Sequence, residues 1–248
     1  MVDYTYMTRG ALGMFFHART PWHYITSREE KTTVILIPGI FGKWGFMKKI
    51  ADSISEAGHP VYVVPNLGYN TSSISDTAKK VKAFILHLFP RSGHIIPHMH
   101  QAGEKIVNLL EKENLDRVVL VTHSKGGLVG KFLLTHLNKD HRVLGMVAIA
   151  APFSGSAITK FFPLRSVKEL SEHSAVINHL EQDTSVNHQI ISIYPEYDNH
   201  VWSEKGSFLE GAENILVPVR GHHKVLFSKE VQKIVIDSVE KLSKEKSL

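Results

Sequence analysis

The stretch Arg117-Val-Val-Leu-Val-Thr-His-Ser-Lys-Gly-Gly-Leu-Val-Gly130 changes character at one serine. Before Ser124 the residues are nearly all apolar and β-branched, the signature of a strand buried on both faces. After it, Lys125 to Gly130 open an apolar helix. A serine at such a junction sits on a sharp strand-to-helix turn that leaves little room beside it, so small residues are wanted two positions to either side. Those positions hold Thr122 and Gly126. The alternative is a serine that merely caps the following helix.

Further apolar runs bounded by turn residues occur at Thr33–Ile37, Val61–Val64, Val143–Ala150, Gln189–Tyr194 and Ile215–Val219. Helix-like patterns fill the gaps at Trp44 to Ala57, His98 to Lys112, Leu128 to Leu137, Val167 to Leu180 and Ser228 to Leu242, the last with Ser228 as its N-cap. Alternating strands and helices predict an α/β fold with a mostly parallel central sheet of six or more strands, covered by helices on both faces. Two stretches exceed a minimal alternation, 66–97 and 156–184. Each is expected either to cap the strand ends or to pack its apolar stripe on the core. At 248 residues the chain suits one domain, 1–248, including these two excursions.

Ligands in such sheets gather at the carboxyl ends of the strands. In chain order those ends lead into Pro38-Gly39-Ile40-Phe41-Gly42, His123-Ser124-Lys125, Ala151-Pro-Phe-Ser-Gly-Ser156, Glu196-Tyr-Asp198 and Arg220-Gly-His-His223. A serine hydroxyl needs a base within hydrogen-bond reach and a carboxylate to orient that base. The order nucleophile, acid, base selects His222 as base, with His223 as runner-up. It selects Asp198 as acid over Glu196, whereas Asp183 precedes its strand. Acyl transfer also needs backbone donors for an oxyanion. The amide of Lys125 is one, and Ile40 supplies the other, with Phe41 second.

These segments together resemble the α/β-hydrolase superfamily, and within it bacterial triacylglycerol lipases and carboxylesterases. The likeness rests on Leu36–Gly42, Thr122–Gly127, Ala150–Ser156 and Asp198 to Ser228. It implies cleavage of a carboxylic ester through an acyl-enzyme, with no cofactor. Two departures stand out: Pro38 where a His is common, and Thr122 in place of Gly. Phe41 and Phe153, with Phe161-Phe162, are the apolar loop residues expected to meet a lipid-like acyl chain. The same triad could pass the acyl group to an alcohol, and the same fold could serve as a non-catalytic binding protein.

Composition narrows the alternatives. The absence of cysteine excludes disulfides and thiolate catalysis. The net charge of +5 comes without any nucleic-acid-binding signature, so no nucleic-acid partner is expected, while peripheral membrane contact stays open. No run approaches the ~20 apolar residues of a membrane span, and no secretory signal pattern is seen, so a cytoplasmic location is expected. No metal site is assigned: Pro97 separates His94 from His98, no H-E-x-x-H occurs, and no acidic cluster suggests the structural calcium of some lipases.

Overall fold

The computed structural model describes residues 3, 5, 8, 31–88, 117–161, 164–203 and 205–244. Six strands form one sheet: β1 (Thr33–Ile37), β2 (Val61–Val63), β3 (Val118–His123), β4 (Val143–Ile149), β5 (Ile190–Tyr197) and β6 (Glu213–Arg220). Their order is β2-β1-β3-β4-β5-β6, and every neighbouring pair is parallel. Six helices accompany them among the described residues: α1 (Lys48–Glu56), α2 (Ile74–Leu88), α3 (Lys125–His136), α4 (Arg165–Lys168), α5 (Ala175–Gln182) and α6 (Lys229–Lys244).

Successive side chains of the inner strands feed different cores, whereas the edge strand β6 leaves Glu213, Leu216, Pro218 and Arg220 exposed. Val34 and Leu36 join Ile50 and Ile54 of α1 and Val231, Val235 and Val239 of α6. Ile35 and Ile37 join Ile74, Ala78, Val81 and Ile85 of α2, Leu128 and Leu133 of α3, and Ile177 and Leu180 of α5. The apolar stripes of α2 and α5 in the two long excursions are thus spent on the core. Residues 89–97 and the expected helix His98 to Lys112 lie outside the described residues.

Element boundaries shift for local reasons. The single helix expected over Val167 to Leu180 is two, α4 and α5. Ser174 interposes a cap, its hydroxyl accepting from the Ile177 amide at 3.2 Å and donating to the Glu169 carbonyl at 2.7 Å. The Trp44 to Ala57 pattern opens with a 3-10 turn, Trp44–Met47. β5 runs past Pro195 to Tyr197, with a register shift against β6 at that point. Ser228 does cap α6, accepting from the Val231 amide at 3.4 Å.

The strand order reverses between β1 and β3, since the chain leaves β1 for the edge at β2 and returns beyond β1 to β3. Such a switch point opens a crevice at the strands' carboxyl ends. The loops beginning at Pro38 and at Ser124 leave from those two strands. The fold rests on the central strands, and Leu120 of β3 is fully buried. Leu120→Ala is expected to lower the unfolding free energy by about 2–5 kcal/mol through loss of contact and a residual cavity, read by urea denaturation.

Candidate active site

Ser124 adopts φ 53° and ψ −126°, a conformation that costs a non-glycine residue on the order of 1–3 kcal/mol and persists only where its surroundings enforce it. Here the enforcement is close packing. A Cβ on Gly126 would lie 2.3 Å from the Ile37 carbonyl oxygen, and one on Gly39 would lie 2.9 Å from Ser124 Cβ. The tight elbow therefore requires glycine both in the turn and in the facing loop. The Ser124 hydroxyl forms no cap hydrogen bond to α3, which disfavours the purely helix-capping role. Thr122 fits in place of glycine because space is made on the helix above it. Its side chain lies 3.4–3.6 Å from the positions that Cβ atoms would take on Gly130 and Gly127.

The structure brings His222 and Asp198 together. His222 Nδ1 lies 2.8 Å from Asp198 Oδ2 and 3.1 Å from Oδ1. Oδ1 also accepts the backbone N–H of His200 at 2.8 Å and of Val201 at 2.9 Å. Burial would raise the Asp198 carboxyl, but His222 and these amides outweigh it and bring it down to about 2. The competitors go elsewhere. His223 Nδ1 faces Asp3 at 3.2 Å, Glu196 pairs with Arg220 at 3.6 Å on the exposed edge, and Asp183 bonds Ser185.

The loops are stitched to one another. His123, fully enclosed between strand and base loop, joins its Nε2 to the His222 carbonyl at 3.2 Å, and burial with the nearby imidazoles of His222 and His223 holds it well below the usual histidine range. A neutral ring can donate this bond from Nε2. The His222 amide donates to Asn199 Oδ1 at 3.0 Å, and the Gly221 amide to the Tyr197 carbonyl at 2.8 Å. Ser156 Oγ donates to the His200 carbonyl at 2.6 Å and accepts from the Trp202 amide at 3.1 Å, which ties the loop after β4 to the loop carrying Asp198.

On the opposite side, Lys125 is buried and its Nζ donates to the carbonyls of Asn70 at 3.0 Å and Ser72 at 2.5 Å. Desolvation lowers the ammonium to about 8, with Glu169 opposing the shift. Asn70 in turn donates from Nδ2 to the Pro38 carbonyl at 2.7 Å. The residue after the serine thus holds the loop after β2, and that loop holds the turn containing Ile40. The Lys125 amide itself opens α3, where the first N–H groups have no partner within the helix. Ile40 is half-buried beside Phe41, which is exposed and has φ 57°. Phe153 is buried in the core and lines a depression with Ser154, Thr184, Asn187 and Phe208. Phe162 lies outside the described residues.

Sequence patterns do not single out Asn70, Asn199 or Asp3, because each acts through a bond to a residue remote in the chain. Only the left-handed turn at Asn70, φ 52°, has a local cue, since asparagine tolerates that region.

With this geometry in place, comparison assigns the class. The family described as alpha/beta hydrolase fold matches residues 32–170, more than half of the chain. The protein belongs to that family, with an all-parallel six-stranded sheet. Among solved structures it is similar in fold to the lipase BlEst2 of Bacillus licheniformis in mature form: TM-score 0.63, 13% identity, covering 86% of this chain and 94% of that one. It is also similar to Aspergillus fumigatus lipase B, with TM-score 0.63 and 15% identity over 88% of this chain and 56% of that one. A soluble variant of Saccharomyces cerevisiae monoglyceride lipase in complex with a substrate analog gives TM-score 0.56 and 12% identity, covering 89% and 88%. No curated protein matches the chain in sequence. Among the described residues no helix is long and apolar enough to cross a membrane.

Two outcomes are expected from this site. Asn70→Ala strips the Pro38 carbonyl of a buried partner and is expected to cost about 1–3 kcal/mol of stability in denaturant titration. Asp198 has its carboxyl depressed in the folded state, so the stability it contributes is present above pH ~4 and is lost as pH falls toward ~2, where the unfolded chain takes up the proton first. Asp198→Asn is therefore expected to flatten the fall of Tm between pH ~4 and ~2 relative to wild type.

Proposed function

We propose that this protein is a carboxylic-ester hydrolase of lipase or esterase type, with Ser124 as nucleophile, His222 as general base and acid, and Asp198 as the carboxylate that orients His222. The observations that carry the reading are the 2.8 Å contact of His222 Nδ1 with Asp198 Oδ2 and the strained elbow at Ser124, whose chain neighbour His123 has its ring centroid 4.8 Å from that of His222. The hydrogen bond fixes the imidazole with Nδ1 protonated and leaves Nε2 as the basic nitrogen.

In the proposed cycle Ser124 Oγ attacks the ester carbonyl as His222 Nε2 takes the hydroxyl proton. Asp198 stabilises the imidazolium without itself taking the proton. The backbone amides of Lys125 and Ile40 donate to the developing oxyanion. Such donors typically contribute about 3–4 kcal/mol of transition-state stabilisation each. Collapse expels the alcohol, which receives the proton from His222, and leaves an ester on Ser124. Water, activated by the same imidazole, then releases the acid and restores the serine.

A lipid-like acyl chain is favoured by apolar side chains left exposed on the loops that follow the strands. Phe41 is 43% exposed, Tyr69 52%, Leu164 51% and Trp202 48%. Isolated apolar residues are ordinary on a protein surface, and what favours an acyl chain here is that all four belong to loops that follow the strands. Phe153, expected from the sequence to meet the chain, is instead buried in the core.

Hydrolysis of p-nitrophenyl esters of increasing acyl length is the test. The expectation is measurable turnover that rises from acetate toward medium chains, with His222→Ala and Asp198→Asn each lowering kcat by about 10³-fold or more. Near-wild-type turnover in either variant overturns the assignment of that residue. Transfer to added alcohol exceeding hydrolysis in dilute alcohol would make the enzyme an acyltransferase.

A further inference from the structure

A second carboxylate–imidazole pair lies beside Asp198 and His222. Asp3 Oδ1 accepts the backbone N–H groups of His223 and Lys224, each at 2.9 Å. Its other oxygen, Oδ2, lies 3.2 Å from His223 Nδ1 and 4.0 Å from His200 Nδ1. His200 stands between the two pairs, its ring centroid 4.8 Å from that of His222 and 4.9 Å from that of His223. His200 Nδ1 is shut off from solvent and has no hydrogen-bond partner among the described residues. An orphaned buried ring nitrogen is destabilising. Ester cleavage gives it no role.

The geometry points to a site for a divalent transition-metal ion of the Zn2+ class, held by Asp3 Oδ2, His200 Nδ1 and His223 Nδ1. Zinc bonds to nitrogen and carboxylate oxygen in a tetrahedral arrangement place the ligand atoms about 3.3–3.5 Å apart. The two measured separations, 3.2 and 4.0 Å, bracket that spacing, and one ligand atom from each of the three residues lies within 4.8 Å of the others. Binding of an ion requires His200 Nδ1 to move closer to Asp3 Oδ2 than its 4.0 Å. The two amides on Oδ1 hold the carboxylate so that Oδ2 faces the rings, which is the outer-shell support that metal ligands require.

Burial, reinforced by the charges of His222 and His223, lowers His200 to about 4, and burial lowers His223 as well. Asp3 is lowered well below the carboxylate range: its hydrogen bonds outweigh the opposing effect of burial. Two nitrogens and one oxygen suit zinc over the hard cations calcium and magnesium, which take oxygen.

A second combination, Asp198, His200 and His222, also brings ligand atoms together. It is set aside because an ion there would break the His222–Asp198 contact on which the proposed hydrolase depends, whereas an ion on the first set replaces the longer His223–Asp3 hydrogen bond, 3.2 Å. An ion on Asp3, His200 and His223 leaves that pair intact. It fastens the amino-terminal segment at Asp3 to the loop that carries His222.

The test is calorimetric titration of the untagged full chain, stripped with chelator, against zinc sulfate, with Tm recorded at each stage. Wild type is expected to bind Zn2+ at one site per chain with a rise in Tm. His200→Ala and Asp3→Asn are expected to lose at least about tenfold in affinity, and Asp198→Asn to keep it. Should Asp3→Asn fail to fold, His200→Ala decides. Absence of binding tighter than about 1 mM in wild type, equal binding in His200→Ala, or loss confined to Asp198→Asn overturns the site. Heat and Tm are independent of ester turnover, so failure of the hydrolase reading would leave this result standing.

Discussion

Everything at the candidate site depends on one close approach, that of Gly126 to the carbonyl of Ile37. Strand β3 and the helix that follows can meet β1 at this distance only because position 126 has no side chain. The approach bends the chain sharply enough to put Ser124 at a positive φ, and it draws Ser124 Cβ against Gly39. It also sets the first amides of α3 next to the turn that contains Ile40. A single steric requirement thereby places Ser124 and the candidate oxyanion donors together at the point where the strand order reverses.

The second layer is a set of hydrogen bonds that convert separate loops into one body. His123 links the end of β3 to the His222 carbonyl, Asn199 links the acid loop to the His222 amide, and Ser156 links the loop after β4 to His200. Lys125 and Asn70 do the same for the turn beginning at Pro38. Each bond contributes only about 0.5–1.5 kcal/mol net. Their collective effect is positional, since a base that is misplaced by an ångström loses much of its effect on rate. Asp3 adds a long-range tie to the loop after His222, and Gly221 makes room for it, because a Cβ there would lie 2.5 Å from Asp3 Oδ1.

Much of this was legible in the sequence because it is written in local patterns. The six apolar runs are strands, of which β1, β3 and β4 are buried throughout while β6 is partly exposed, and the order of the loops after them selected Ser124, Asp198 and His222. The pairing of His222 rather than His223 with Asp198 agrees with that order. What escaped was non-local. Asp3 reaches His223 across most of the chain, and Lys125 spends its ammonium on carbonyls of a loop that carries no motif. The break between α4 and α5 was hidden because the apolar spacing continues through it while Ser174 interrupts the backbone. The cluster of His200 and His223 with Asp3 has no linear spacing by which a ligand set could be found.

The central claim is that Ser124 is a nucleophile activated by His222. Its most direct measurement is mass-spectrometric mapping of the adduct formed by a fluorophosphonate on the folded protein. The account predicts a single modified serine, Ser124, labelled in wild type and labelled far more slowly in His222→Ala. No adduct on Ser124 under conditions that label a control serine hydrolase, or labelling equally fast in His222→Ala, would contradict it.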